Sequence, residues 1–263
     1  MCIELLEARQ LLTAAPIDEV AGDTSLASAS ATISASPSVI SAAATTHDDL
    51  LYVGIADGAT SPTNAGLVMT ADVGNGLVAP LHANLPLTDQ GLSGLAFVGG
   101  KLLASTSTGL GSTSNLVQLD TSTGAQLSNT PITDGSQPIS MGDLAIQPGT
   151  NTLYGIRSAE DGLGHSGALY IIDPNSGAAS LVGDTLTGHD GGLAFSPGGT
   201  LYLAGINPAT SQPTLFTLQS STAQVLSSVS LSRPVDGLDV RSDGVIYGAD
   251  ALNGNLLTID PTT

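Results

Sequence analysis

The most informative stretch of the chain is Leu169-Tyr170-Ile171-Ile172-Asp173-Pro174-Asn175-Ser176-Gly177. It is a run of four apolar residues followed by a turn, and this pattern is typical of a short buried β-strand. Comparable apolar clusters recur along the chain, at Leu67-Val68-Met69, Leu116-Val117, Leu215 to Leu218 and Leu256-Leu257. The stretch is therefore predicted to be one strand of a repeating unit.

Other strands of the unit recur with the same spacing. A cluster rich in Gly, Ala and Leu is found at Gly94-Leu95-Ala96-Phe97, Asp143-Leu144-Ala145-Ile146, Gly192-Leu193-Ala194-Phe195 and Gly237-Leu238-Asp239-Val240. The leucines of these copies are 49, 49 and 45 residues apart. A second apolar cluster follows each of them after about eight residues, and Leu51-Tyr52 supplies an earlier copy of it. Four short strands in about 45 residues are the period of a propeller blade.

The repeat predicts an all-β fold, a β-propeller of four-stranded antiparallel blades that spans residues 49–263. One such sheet cannot bury both of its faces, whereas sheets stacked around an axis can. The Gly- and Ala-rich cluster suits the crowded innermost strand. Copies begin near residues 49, 91, 141, 191 and 236, and the last ends after its third strand. A strand around Ile33 could close a five-bladed ring, or the chain could be a fragment of a larger propeller.

A resemblance to a known family supports this architecture. The stretch from Leu169 to Gly177, continued by Leu181-Val182-Gly183, resembles the LYxIDPxTGxxxxVG unit of exported bacterial propeller repeats, and Leu257 to Thr262 repeats its centre. The resemblance implies a fold and not a chemistry, because such blades occur in surface proteins, binding modules, lyases and lactonases.

The first 48 residues differ from the repeats. Within residues 1–22, Ile3 to Ala14 resembles the LExRxLL-A segment that accompanies export in planctomycetes and some other bacteria, which implies a secreted or cell-surface protein. By periodicity the same residues could form a short amphipathic helix. Residues 23–48 are rich in Ala, Ser and Thr and are either a linker or the closing strand.

Charge limits the classes of partner. The chain has 23 acidic and 5 basic side chains, a net charge of −18, so it should repel nucleic acid and anionic lipid. No apolar run is long enough to span a membrane. A protein or glycan at a cell surface is the expected partner, although an aromatic content of 3% without Trp argues against sugar stacking on aromatic rings.

Acidic residues near the inner strands form a candidate metal site. Asp143, Asp190 and Asp236 lie just before or within successive copies of the inner cluster, and His189 is beside Asp190. If they meet at one mouth of the central channel, their oxygens could hold Ca²⁺, the one cofactor that the sequence suggests. The alternative is that each Asp shapes the turn that enters its strand.

Two polar loops form a candidate binding site. The loop from Ser158 to Gly167 contains Glu160, Asp161 and His165, and the loop from Gly183 to Gly191 contains Asp184 and His189. Both are expected on the same face as the entries to the inner strands. Two histidines among carboxylates can bind a metal or transfer protons, and the alternative is that they are simply solvated.

No catalytic motif for a nucleophilic serine, a zinc-binding helix or a phosphate loop is present in the sequence. The leading hypothesis is an extracellular structural or interaction module. The alternatives are a propeller enzyme of the lactonase or lyase type with a metal at the channel mouth, and an adhesion module stabilised by Ca²⁺.

Overall fold

A computed structural model describes residues 6–7, 50–54, 66–72, 78–80, 91–98, 101–107, 112–121, 124–158, 167–187, 191–250 and 255–262. Within these ranges all the regular structure is β-strand and there is no helix. The all-β prediction is confirmed.

The strands form five sheets across these ranges. The first sheet contains β1 (Leu6–Glu7), β2 (Leu50–Gly54), β3 (Val68–Asp72) and β4 (Val78–Pro80), and the second contains β5 (Gly91–Val98), β6 (Lys101–Ser107), β7 (Asn115–Leu119) and β8 (Gln126–Pro131). The third contains β11 (Met141–Gln147), β12 (Thr152–Arg157), β13 (Ala168–Ile172) and β14 (Ala178–Asp184), together with the short strands β9 (Thr133–Asp134) and β10 (Gln137–Pro138). The fourth contains β15 (Leu193–Phe195), β16 (Leu201–Asn207), β17 (Gln212–Leu218) and β18 (Val225–Ser230), and the fifth contains β19 (Val235–Val240), β20 (Ile246–Asp250) and β21 (Leu256–Ile259).

The sheets are arranged as a propeller, which confirms the predicted fold. Consecutive strands pair antiparallel within each sheet. The innermost strands β5, β11, β15 and β19 contact one another in that order, and β1 contacts both β5 and β19. These strands contain the Gly- and Ala-rich clusters, as predicted. The outermost strands β8 and β18 are mostly exposed.

The hydrophobic core is divided among the spaces between neighbouring sheets. One cluster joins the second and third sheets and includes Leu103 and Met141, and another joins the third and fourth and includes Ile156 and Phe216. Similar clusters join the first sheet to the second and the fourth to the fifth. Each sheet thus buries its apolar faces against its neighbours, which is the physical basis of the repeat.

The N-terminal region corrects one interpretation. Leu6 and Glu7 form a strand, β1, that pairs with Tyr52 and Leu51 of β2, so these two residues are not helical. They supply the innermost strand that the first repeat lacked in the sequence. Ile33 lies outside the described residues, and the described part of the fifth sheet has three strands.

Candidate functional site

A cleft of about 490 Å³ lies beside the third sheet, at the end where β12 and β14 finish. This volume is within the range of small-molecule sites in proteins, about 300–1,000 Å³. The residues that line it are Asp134, Gln137, Ile139, Arg157, Ala168, Tyr170, Leu181 and Asp184.

One wall of the cleft is the hairpin of β9 and β10, which the repeat did not predict. Asp134 pairs with Gln137 across a turn in which Gly135 has a φ of 59°, a conformation that favours glycine. The hairpin then joins the third sheet, because β9 pairs parallel to the start of β14. Ile132 and Ile139 on either side of it are fully buried and anchor it to the core.

The hairpin brings Asp134 to the polar side chains at the base of the cleft. Arg157 is 4% exposed and Tyr170 is 2% exposed. The Tyr170 hydroxyl donates a hydrogen bond of 3.2 Å to Asp134 Oδ2 and receives one from the Arg157 side chain. Burial raises the pKa of the Tyr170 phenol, while the positive charge of Arg157 opposes the rise. The phenol therefore remains a hydrogen-bond donor at neutral pH.

Asp184 lies on the opposite side of the cleft, at the end of β14, and is exposed. Its Oδ1 accepts a hydrogen bond of 2.8 Å from the backbone N–H of Leu186. Next to it, the Thr185 hydroxyl donates to the Gly167 carbonyl at 2.6 Å and bonds to the Thr187 hydroxyl at 2.8 Å. These contacts fix the start of β13 beside the end of β14. Asp184 is thus placed on a rigid part of the cleft.

Asp143, the first residue of the predicted metal site, is completely buried. Its two carboxylate oxygens accept hydrogen bonds from the backbone N–H groups of Leu144 and Leu193. Burial raises the pKa of this carboxyl well above its usual value, although the two hydrogen bonds oppose the rise. The carboxylate joins β11 to β15 between two sheets.

Asp236 occupies a different position of the repeat. It lies in β19 at a shift in register between Val235 and Gly237, where the equivalent residue of β11 is Gly142, and Asp143 is one residue further along. Successive residues of a strand point to opposite faces, so Asp143 and Asp236 are not equivalent ligands of one channel mouth. Asp236 is half-buried.

The remaining predicted site residues, Glu160, Asp161, His165, His189 and Asp190, lie outside the described residues. Within the described ranges there is no group of three His, Cys, Asp or Glu side chains that could hold a metal ion. Asp184 is the one predicted binding residue that the structure places in the cleft.

Sequence reasoning missed four polar residues of the cleft: Asp134, Gln137, Arg157 and Tyr170. One signal was available, because Asp134-Gly135 is a strong hairpin motif between two apolar residues, Ile132 and Ile139. No comparable signal marked Arg157, which is the last residue of an otherwise apolar strand.

Comparisons with solved structures agree with the fold. The chain is similar to a gluconolactonase from Xanthomonas campestris, with 19% sequence identity, coverage of 81% of this chain and 72% of that one, and a TM-score of 0.52. It is also similar to the Dos1 propeller, with 14% identity, coverage of 82% and 57%, and a TM-score of 0.42. The WD40 β-propeller domain of Doa1 has 12% identity, coverage of 82% and 62%, and a TM-score of 0.44.

At these identities the first likeness shows the fold alone. No family model and no curated protein matches the chain. Among the described residues, no helix has the length and apolarity that crossing a membrane requires.

Proposed function

We propose that this chain is an extracellular binding module and that its ligand occupies the cleft beside the third sheet. The observation that carries the proposal is the polar base of the cleft, where Arg157, Tyr170 and Asp134 are held together by hydrogen bonds. Few polar groups, fixed by their own partners and surrounded by apolar side chains, are the usual composition of a ligand site.

The location of the protein rests on its sequence. The segment that resembles export-associated sequences, within residues 1–22, supports secretion or attachment at a cell surface. The blade number is also part of the proposal: because β1 contacts both β5 and β19, we favour a five-bladed ring. Residues 23–48 then serve as a linker or supply the strand near Ile33 to the three-stranded fifth sheet.

The rival is a metal-dependent propeller, either a lactonase or lyase or an adhesion module stabilised by Ca²⁺. Asp190, Asp236 and His189 remain its proposed ligands, with Glu160, Asp161 and His165 as proposed polar neighbours. Asp143 is less suitable, because both its oxygens already accept backbone hydrogen bonds in the core. A metal ion would have to displace those bonds.

Thermal unfolding distinguishes the two functions. The Tm is measured after treatment with EDTA and then with Ca²⁺, Mg²⁺ or Zn²⁺, and hydrolysis of gluconolactone is followed at constant pH. A binding module of the proposed kind shows neither a metal-dependent Tm nor hydrolysis. A rise in Tm with metal that disappears in Asp236→Asn would overturn the proposal in favour of the rival.

A further inference from the structure

We infer that the ligand of the cleft is a neutral polyhydroxyl compound, a saccharide segment. This inference rests on the proposed function and adds the chemical class of the ligand. It follows from the distribution of hydrogen-bonding groups, charge and apolar surface around the cleft.

Donors and acceptors alternate around the cleft. The Arg157 guanidinium and the Tyr170 hydroxyl lie at its buried base, whereas the exposed side chains of Asp134, Gln137 and Asp184 surround its opening. A guanidinium only donates, a carboxylate only accepts, and an amide does both. A ligand complementary to this set must itself carry many groups that donate and accept, and hydroxyl groups do both.

Charge excludes the two ionic alternatives. A polyanion would be repelled by the net charge of −18 and by the two carboxylates at the opening. A cation that entered the cleft would approach the buried positive charge of Arg157 at its base. A neutral ligand avoids both costs and still forms hydrogen bonds to charged groups, which are the stronger kind.

Apolar side chains complete the lining. Ile139 and Ala168 are buried in the wall, and Leu181 is 57% exposed although it is a large hydrophobic residue on an outer strand. These surfaces suit the C–H groups of a sugar ring. The Tyr170 ring is buried, so recognition does not depend on aromatic stacking, and the low aromatic content of the chain is no obstacle.

The test is calorimetric titration of the full chain with neutral oligosaccharides of glucose, mannose and galactose, with uronic-acid oligosaccharides and with oligolysine. We expect at least one neutral series to bind. Asp134→Asn and Asp184→Asn should each weaken its affinity by about tenfold, because each replaces a charged acceptor at an exposed position that tolerates the change. Asp173→Asn is the matched control, since it removes the same charge from an exposed turn of the same sheet and should not change the affinity.

Two results would overturn the inference in different ways. Oligolysine that binds, and that loses affinity in both cleft variants, would leave the proposed function intact and replace its ligand class. Neutral oligosaccharides that bind equally to wild type and to both cleft variants would show that the cleft is not the site, and would overturn the proposed function as well. Tyr170→Phe supplies a further readout, because it releases Asp134 without changing a charge.

Discussion

Two kinds of junction join neighbouring inner strands of this propeller, one closed by glycine and the other by aspartate. At the glycine junctions the backbones leave no room for a side chain. A Cβ added to Gly94 of β5 would lie 2.8 Å from the Leu144 backbone nitrogen of β11. A Cβ added to Gly192 would overlap the Leu238 backbone nitrogen of β19. Contacts this close are not found for real Cβ atoms, so these positions require glycine.

The aspartate junction uses the same position of the repeat differently. Asp143 of β11 is aligned with Gly94 and Gly192, and its carboxylate accepts the N–H of Leu193 in the next inner strand. The target is again the backbone nitrogen of the leucine in the following repeat. The comparison teaches that one repeat position can be constrained by space in two units and by hydrogen bonding in a third, and the two constraints predict different responses to mutation.

Gly192→Ala should have the largest effect. The added methyl group would meet backbone atoms of both Gly237 and Leu238, which cannot rotate away, so the fourth and fifth sheets must separate. We expect a loss of about 3 kcal/mol or more in the free energy of unfolding, measured by urea denaturation. Gly198→Ala is the control, because its nearest neighbour would be 3.8 Å away, and it should change stability by no more than about 0.5 kcal/mol. Equal stabilities for the two variants would contradict the steric account.

Gly94→Ala should have a smaller effect, about 2 kcal/mol. One of the atoms in its way, Ser105 Oγ at 2.6 Å, belongs to a side chain, although the Leu144 nitrogen belongs to the backbone. Removing the hydroxyl in the double variant Gly94→Ala/Ser105→Ala should recover part of the loss. A double-mutant cycle by urea denaturation measures the recovery, and strict additivity of the two changes would show that Ser105 is not the obstacle.

The fold was accessible from the sequence because its determinants repeat. Clusters such as Gly94 to Phe97 and Gly192 to Phe195 recur at a nearly constant spacing, and the strands that they predicted are the innermost strands of the structure. The strand at Leu6–Glu7 was missed because 42 residues separate it from β2, its partner, so no local pattern marked it.

The cleft was not accessible because its determinants occur once. The hairpin of β9 and β10 lies between two repeats, and Asp134 meets Tyr170, 36 residues further along the chain, only when β9 pairs with β14. The metal prediction placed Asp143 and Asp236 in one class because both begin an inner cluster. A register shift in each strand, invisible in the sequence, makes them one residue out of step.

Asp143→Asn should cost about 1–2 kcal/mol at acidic pH, less than either glycine variant. An amide can accept through one oxygen only, so its NH₂ group would face one of the two backbone N–H groups that the carboxyl now satisfies. Urea denaturation at pH 4 measures the loss. No loss at pH 4 would show that the hydrogen bond between β11 and β15 contributes nothing to the junction.

The aspartate junction should also respond to pH, which the glycine junctions do not. Burial raises the pKa of Asp143 in the folded state above its ordinary value of 3.8, so the folded chain binds this proton more tightly than the unfolded chain does. The contribution of this group to stability is therefore complete below pH 3.8 and is lost as the pH rises through the raised folded value. Asn does not titrate, so the stability difference between wild type and Asp143→Asn should narrow from pH 4 to pH 8, as measured by urea denaturation at each pH. The opposite slope that arises from Asp243, whose pKa is lowered to about 2 by Arg241, is common to both proteins and cancels in the difference. A difference that widens with pH would mean that the carboxylate is stabilised in its charged form, and that its two hydrogen bonds outweigh its burial.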